Sequence, residues 1–134
     1  MKVADATLEI PRPLHGCLSF ARALSAGDLD GATACFARDG CLITPDATAV
    51  HGRERIRPLL AQLIARRTEI EIELSNVVTA GEVVLASERW RMRSGPGGEA
   101  PRIEQVLSPT LVLRFVEGEW KLAIAAPWRF TFPA

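Results

Sequence analysis

Two side chains in this sequence are able to move a proton from the end of an element, Asp46 and His51. Asp46 follows Thr44-Pro45 at the close of an apolar strand, where a carboxylate can act as a general base or simply cap a Pro-Asp turn. His51 stands just before Gly52-Arg53, either lining the mouth of a pocket or leading into a helix. The run Ser87-Glu88-Arg89-Trp90-Arg91-Met92-Arg93 is more unusual, because alternation puts Ser87, Arg89, Arg91 and Arg93 on one face and Glu88, Trp90 and Met92 on the other. With the arginine face inward, Arg89 and Arg91 would suit a carboxylate, phosphate or enolate. With Trp90 and Met92 inward the arginines stand in solvent, which avoids burying unpaired charge. The amides of Asn76 and Gln105 are set to hydrogen-bond a ligand or to satisfy a backbone group in the core.

The three cysteines, Cys17, Cys35 and Cys41, lack metal-ligand spacing and read as small buried hydrophobes, so no metal and no cofactor is expected. Sixteen basic residues balance sixteen acidic ones, which disfavours nucleic acid and anionic membranes as partners. The opening MKVADATLEIPRP has no signal-peptide core, and no apolar run is long enough to span a bilayer; the expected location is the cytoplasm.

These residues need elements to hold them. Leu14, Cys17, Leu18, Ala21 and Leu24 recur at helical spacing, and Gly27-Asp28 ends that helix and caps a second, short one over 29–37. Asp39-Gly40 then turns the chain into a strand at Cys41-Leu42-Ile43-Thr44, which Pro45 stops. A third helix opens at Gly52 with Ile56, Leu59, Leu60, Leu63 and Ile64 on its apolar face; Pro58 fits best in a first turn, so the regular helix is expected from Arg57. From Thr68 the period becomes two, with Glu69, Glu71, Glu73 and Ser75 on a wet face and Ile70, Ile72, Leu74 and Asn76 on a dry one. Turns at 80–82, 95–98 and 117–118 mark further strands over 83–93, 102–116 and 119–129. The expectation is an α+β chain of 134 residues forming one domain (core about 12–130), with three N-terminal helices on one face of a curved antiparallel sheet.

The segments AxxAGDLDG with FARDG, HGRERIRPLL over 51–60 and GEWKLAIAAPW over 118–128 resemble the ketosteroid isomerase and SnoaL-like polyketide cyclase superfamily, which shares the nuclear transport factor 2 fold. The resemblance implies a cone-shaped, cystatin-like barrel with an internal pocket. In such isomerases an Asp base works against an oxyanion hole made by a Tyr and a protonated Asp. Carried onto this chain, the Tyr position falls on Phe20, the base on Thr44 and the oxyanion Asp on Leu111, or Thr110 if the register slips. None can play the isomerase role, and the chain has no Tyr. The cyclases' later-strand acid finds only Ala123, Ala125 and Ala126.

What this leaves is a small-molecule ligand, largely apolar, in a pocket that Phe20, Thr44, Asn76, Arg89, Arg91, Gln105, Leu111 and Trp128 would line, with Asp46 or His51 moving a proton if the protein is an isomerase, cyclase or related enzyme. A non-catalytic binding module and a dimerisation domain are the alternatives. An apolar outer sheet face built from Val106, Thr110, Val112, Leu122 and Ile124 points to a homodimer under any of the three.

Overall fold

The computed structural model describes residues 12–95 and 102–128. Helix α1 (Arg12–Ser25) buries Leu14, Cys17, Phe20, Ala21 and Leu24. Gly27 takes φ 76° and Asp28 N–H donates to the Ala23 carbonyl at 2.8 Å, the left-handed stop that a glycine permits. The Asp28 carboxylate then accepts from Gly31 N–H at 2.9 Å and starts α2 (Leu29–Ala34).

Strand β1 runs over Phe36–Ile43, so the chain leaves helix earlier than its sequence suggests. The reason lies far downstream: Phe36, Cys41 and Leu42 pair in parallel with Leu122, Ile124 and Ala125 of the last strand, and Phe36 is fully buried. After β2 (Ala49–His51), helix α3 spans Arg53–Ala65, with exposed Pro58 inside it rather than in a first turn. The start of α3 is held instead by Arg53, whose guanidinium donates to the Phe36 carbonyl at 2.6 and 2.8 Å. Arg67, at φ 53°, ends the helix with its N–H on the Ile64 carbonyl, and the next residue, Thr68, is carried indoors.

Strands β3 (Glu69–Ala80) and β4 (Val83–Ser94) form the longest hairpin. The segment expected as one strand over 102–116 is two, β5 (Ile103–Leu107) and β6 (Thr110–Val116), split at Ser108-Pro109 where proline has no N–H to give. Strand β7 (Glu119–Ala126) closes the order β2-β1-β7-β6-β4-β3, with β5 also on β4. The sheet is therefore mixed rather than purely antiparallel, because β1 and β7 run the same way, and it curls around the helices without closing into a barrel.

Parity along β3 breaks at a bulge between Ile72 and Leu74. Ile70 and Ile72 are buried as alternation requires, but beyond the bulge Ser75 is buried and Asn76 is exposed, the reverse of a simple count. Where α1 crosses the sheet, Gly16 allows close approach: a Cβ there would lie 2.8 Å from Leu113 Cδ2 and 2.9 Å from the Trp120 carbonyl oxygen. Gly16→Ala is expected to lower unfolding free energy by about 1–3 kcal/mol through overpacking against backbone that cannot yield. Denaturant titration of the two proteins checks it.

Candidate functional site

The cone's interior is packed rather than hollow. Trp90, fully buried, lies 6.4 Å from Phe20, which meets Phe36 edge-on at 5.6 Å. These rings leave an inner recess of only about 10 Å³, walled by Phe20, Leu24, Leu60, Ile70, Trp90 and Pro127 among others. That is room for no more than about one water. The recess shares Leu42, Leu63, Met92 and Trp128 with a cavity of about 310 Å³ at the wide end of the cone.

This mouth cavity lies between α3 and the β4–β5 end of the sheet. Its apolar wall is Leu42, Pro45, Leu59, Leu63, Met92, Ile103 and Trp128; its polar groups come from Thr44, Gln62, Arg66, Thr68, Ser94 and Gln105. Among the described lining residues Arg66 is the one ionisable side chain. Thr68 is 2% exposed, and its hydroxyl has no hydrogen-bond partner. A larger cleft of about 650 Å³ runs over the outside of α1 and the turns at 81–82 and 118–119, with Arg12, His15, Cys35, Trp120 and Lys121 in its wall. It lies over the surface, mixes acids with bases and holds none of the residues expected to act.

Three of the expected pocket residues meet at the mouth: Thr44, Gln105 and Trp128. Phe20 lines the inner recess and serves as core. Leu111 is buried, paired with Ala86 and Ala125, and lines none of these cavities. Asn76 is on the outside of β3, placed there by the bulge. Arg89 and Arg91 also correct the arginine-inward alternative: they stand on the convex face, where Arg91 Nε donates to Glu73 at 3.0 Å and its Nη1 to Glu104, while Arg89 reaches Glu73 at 3.4 Å. Carboxylates from the neighbouring strands β3 and β5 neutralise them in water.

Asp46 is exposed in the turn after β1, adjoining the mouth but outside its wall. Its carboxylate accepts from the Thr44 hydroxyl and from Thr48 N–H, and these bonds hold its pKa below the usual carboxylate value, which weakens it as a base. His51 is exposed on β2 and lines none of these cavities.

Two buried polar residues escaped the sequence reading of the site. Glu88, 6% exposed, accepts from Ser75 Oγ and from Trp90 Nε1, each at 2.8 Å, and the Cys17 thiol adds a third donor. Burial pushes its pKa up, more than these hydrogen bonds pull it down. Its parity with Trp90 and Met92 was the available signal, as Thr68's was with Ile70 and Ile72.

No curated protein matches the sequence. Several solved structures match the fold. A ketosteroid isomerase-like protein from Erwinia carotovora superposes with a TM-score of 0.71 at 15% identity, covering 86% of this chain and 91% of that one. A nuclear transport factor 2-like family member from Streptomyces avermitilis, described as a candidate dehydratase, gives 0.77 at 16% identity, with coverage of 86% and 91%. A candidate calcium/calmodulin-dependent protein kinase II association domain from Xanthomonas campestris gives 0.77 at 14%, covering 97% and 96%. The SnoaL-like domain family matches residues 18–123, most of the chain, and the protein belongs to that family.

Proposed function

We propose that this protein binds a small, largely apolar molecule at the mouth of its cone, and that it holds the ligand without transforming it. The observation that carries the reading is the makeup of the mouth cavity: seven apolar side chains, five neutral polar residues, and Arg66 as the one ionisable group among the described lining residues. A cavity of about 310 Å³ is at the small end of the ~300–1,000 Å³ typical of ligand sites. General acid–base chemistry needs a group that can take up and release a proton near the operating pH, and a guanidinium does not. The test is titration with a neutral naphthyl ketone followed by thermal shift, on the native chain and on Leu63→Trp, which fills the cavity from α3. Saturable stabilisation of the native protein, lost in the variant, is expected; stabilisation of neither protein, or equal stabilisation of both, would remove the site.

A second reading, a proton-transfer enzyme, draws on Glu88, a buried carboxyl whose pKa is raised, directly behind Trp90. It requires Trp90 to swing out of the recess. Exchange of a ketone's α-protons in deuterated water, abolished by Glu88→Gln, would establish it over simple binding.

The same proposal includes a homodimer. Val78, Leu85, Val112 and Ile124 are paired in sequence across β3, β4, β6 and β7, making one apolar row on the convex face. Three of them are more than 40% exposed, and a two-fold axis through the row would lay it on its own copy. Leu122, expected in this face, is fully buried instead, because an irregularity after Val112 pairs it with Leu113 inside. The likeness to an association domain is consistent with self-assembly. Leu85→Arg is expected to halve the sedimenting mass while the circular dichroism spectrum stays native.

A further inference from the structure

We propose that the ligand of the mouth cavity is an amphipathic monocarboxylic acid, its apolar body against Leu42, Leu59, Leu63, Met92 and Trp128 and its carboxylate held by Arg66 and Thr68; this rests on the binding function proposed above. Two independent observations select the acid. The first is charge: Arg66 is the one ionisable group among the described lining residues, and no carboxylate of the described residues pairs with it, so nothing in the wall neutralises it. An exposed guanidinium at the rim of an apolar wall attracts an anion from solution, most strongly at low salt. With one guanidinium in the wall, one negative charge balances it.

The second is the Thr68 hydroxyl. It is buried and has no protein partner, a state that buried polar groups rarely keep, and Thr68 stands between the mouth cavity and a second pocket of about 300 Å³ beside Ser25, Arg67 and Arg102. The ending of α3 puts it there: Thr68 N–H bonds the Leu63 carbonyl at 3.1 Å, which fixes the residue at the start of β3. The Thr44 hydroxyl, in contrast, is already engaged with Asp46 and Thr48. Of the groups in this wall Arg66 offers a donor fork and Thr68 a hydroxyl able to donate, beside the neutral Gln62, Ser94 and Gln105, and a carboxylate is an acceptor with two oxygens. An amine would meet repulsion, and an alcohol would leave the guanidinium unpaired.

Isothermal titration calorimetry of the full chain with decanoate, decanol and decylammonium at pH 7 and low salt tests this. Decanoate is expected to bind about tenfold more tightly than decanol, the size of one charge-assisted hydrogen bond. Decylammonium should bind most weakly. Arg66→Met should abolish the preference for decanoate over decanol; Thr68→Val should weaken decanoate several-fold. Arg66 is exposed, so its replacement tests the ligand without threatening the fold. If decanol binds the native protein as tightly as decanoate, or if Arg66→Met leaves decanoate binding intact, the acid is overturned and the apolar site survives. If none of the three binds, the binding function falls with it.

Discussion

Trp90→Ala is expected to be the most damaging single substitution in this protein, lowering its unfolding free energy by about 3–5 kcal/mol. Trp90 is fully buried, faces Phe20 at 6.4 Å and forms the inner end of the cone. Removing the indole loses its transfer free energy and leaves a void that α1 and the sheet cannot both close. It also takes from Glu88 a hydrogen-bond donor that favours the ionised carboxyl. Urea titration at fixed pH reads the effect. Because the recess adjoins the mouth through Leu42, Leu63, Met92 and Trp128, the variant should also admit a bulkier ligand than the native protein. A loss below about 1 kcal/mol would mean that the interior is loosely packed.

Glu88 gives the second large effect, visible as a dependence on pH. Its folded-state pKa is raised above the ordinary 4.5, chiefly by burial, so the folded chain keeps this proton to higher pH than the unfolded chain does. Folded protein then binds more protons than unfolded protein over the interval between the two values, and stability contributed by this group declines as pH rises through it. Below 4.5 the contribution is fully present; above the folded-state value it is gone. Glu88→Gln retains an acceptor for Trp90 and does not ionise, so its stability should lack this decline, and the gap between variant and native protein should move in favour of the variant as pH increases. Glu88→Ala is different, leaving the Trp90 N–H buried without its acceptor at a cost of about 1–3 kcal/mol at any pH. Parallel pH profiles for native protein and Glu88→Gln would show that Glu88 titrates alike in both states.

Much of the fold could be read from local signals. The stripe on α1, the Gly27-Asp28 stop and the turn at 117–118 are decided by residues a few positions apart, and the structure keeps all three. Features that depend on distant partners could not be read. The early start of β1 is set by β7, about eighty residues later, and no periodicity within 36–43 announces a parallel neighbour. The bulge at Ile72 and Leu74 defeats parity counting, since one inserted residue reverses every later side chain; that is why Asn76 was expected indoors and Ser75 outdoors. Pro109, in contrast, was a visible break in the expected 102–116 strand.

The site shows the same division. Alternation on β4 had two solutions, and the one that keeps charge in water prevails, which moves Arg89 and Arg91 to the convex face and Glu88 indoors. Thr44, Gln105 and Trp128 reach the mouth by way of three separate elements, and their convergence there follows from the curl of the sheet. Arg66 is a helix-terminal arginine like several others in the sequence. Its special place follows from where α3 ends against β4 and β5.

Methyl-resolved nuclear magnetic resonance with increasing decanoate is the most direct test of binding at the mouth. The account predicts saturable shifts confined to the methyls of Leu42, Leu59, Leu63, Met92 and Ile103, with Val78, Leu85, Val112 and Ile124 unmoved. Shifts concentrated on the convex row, or spread without saturation over both faces, would contradict it.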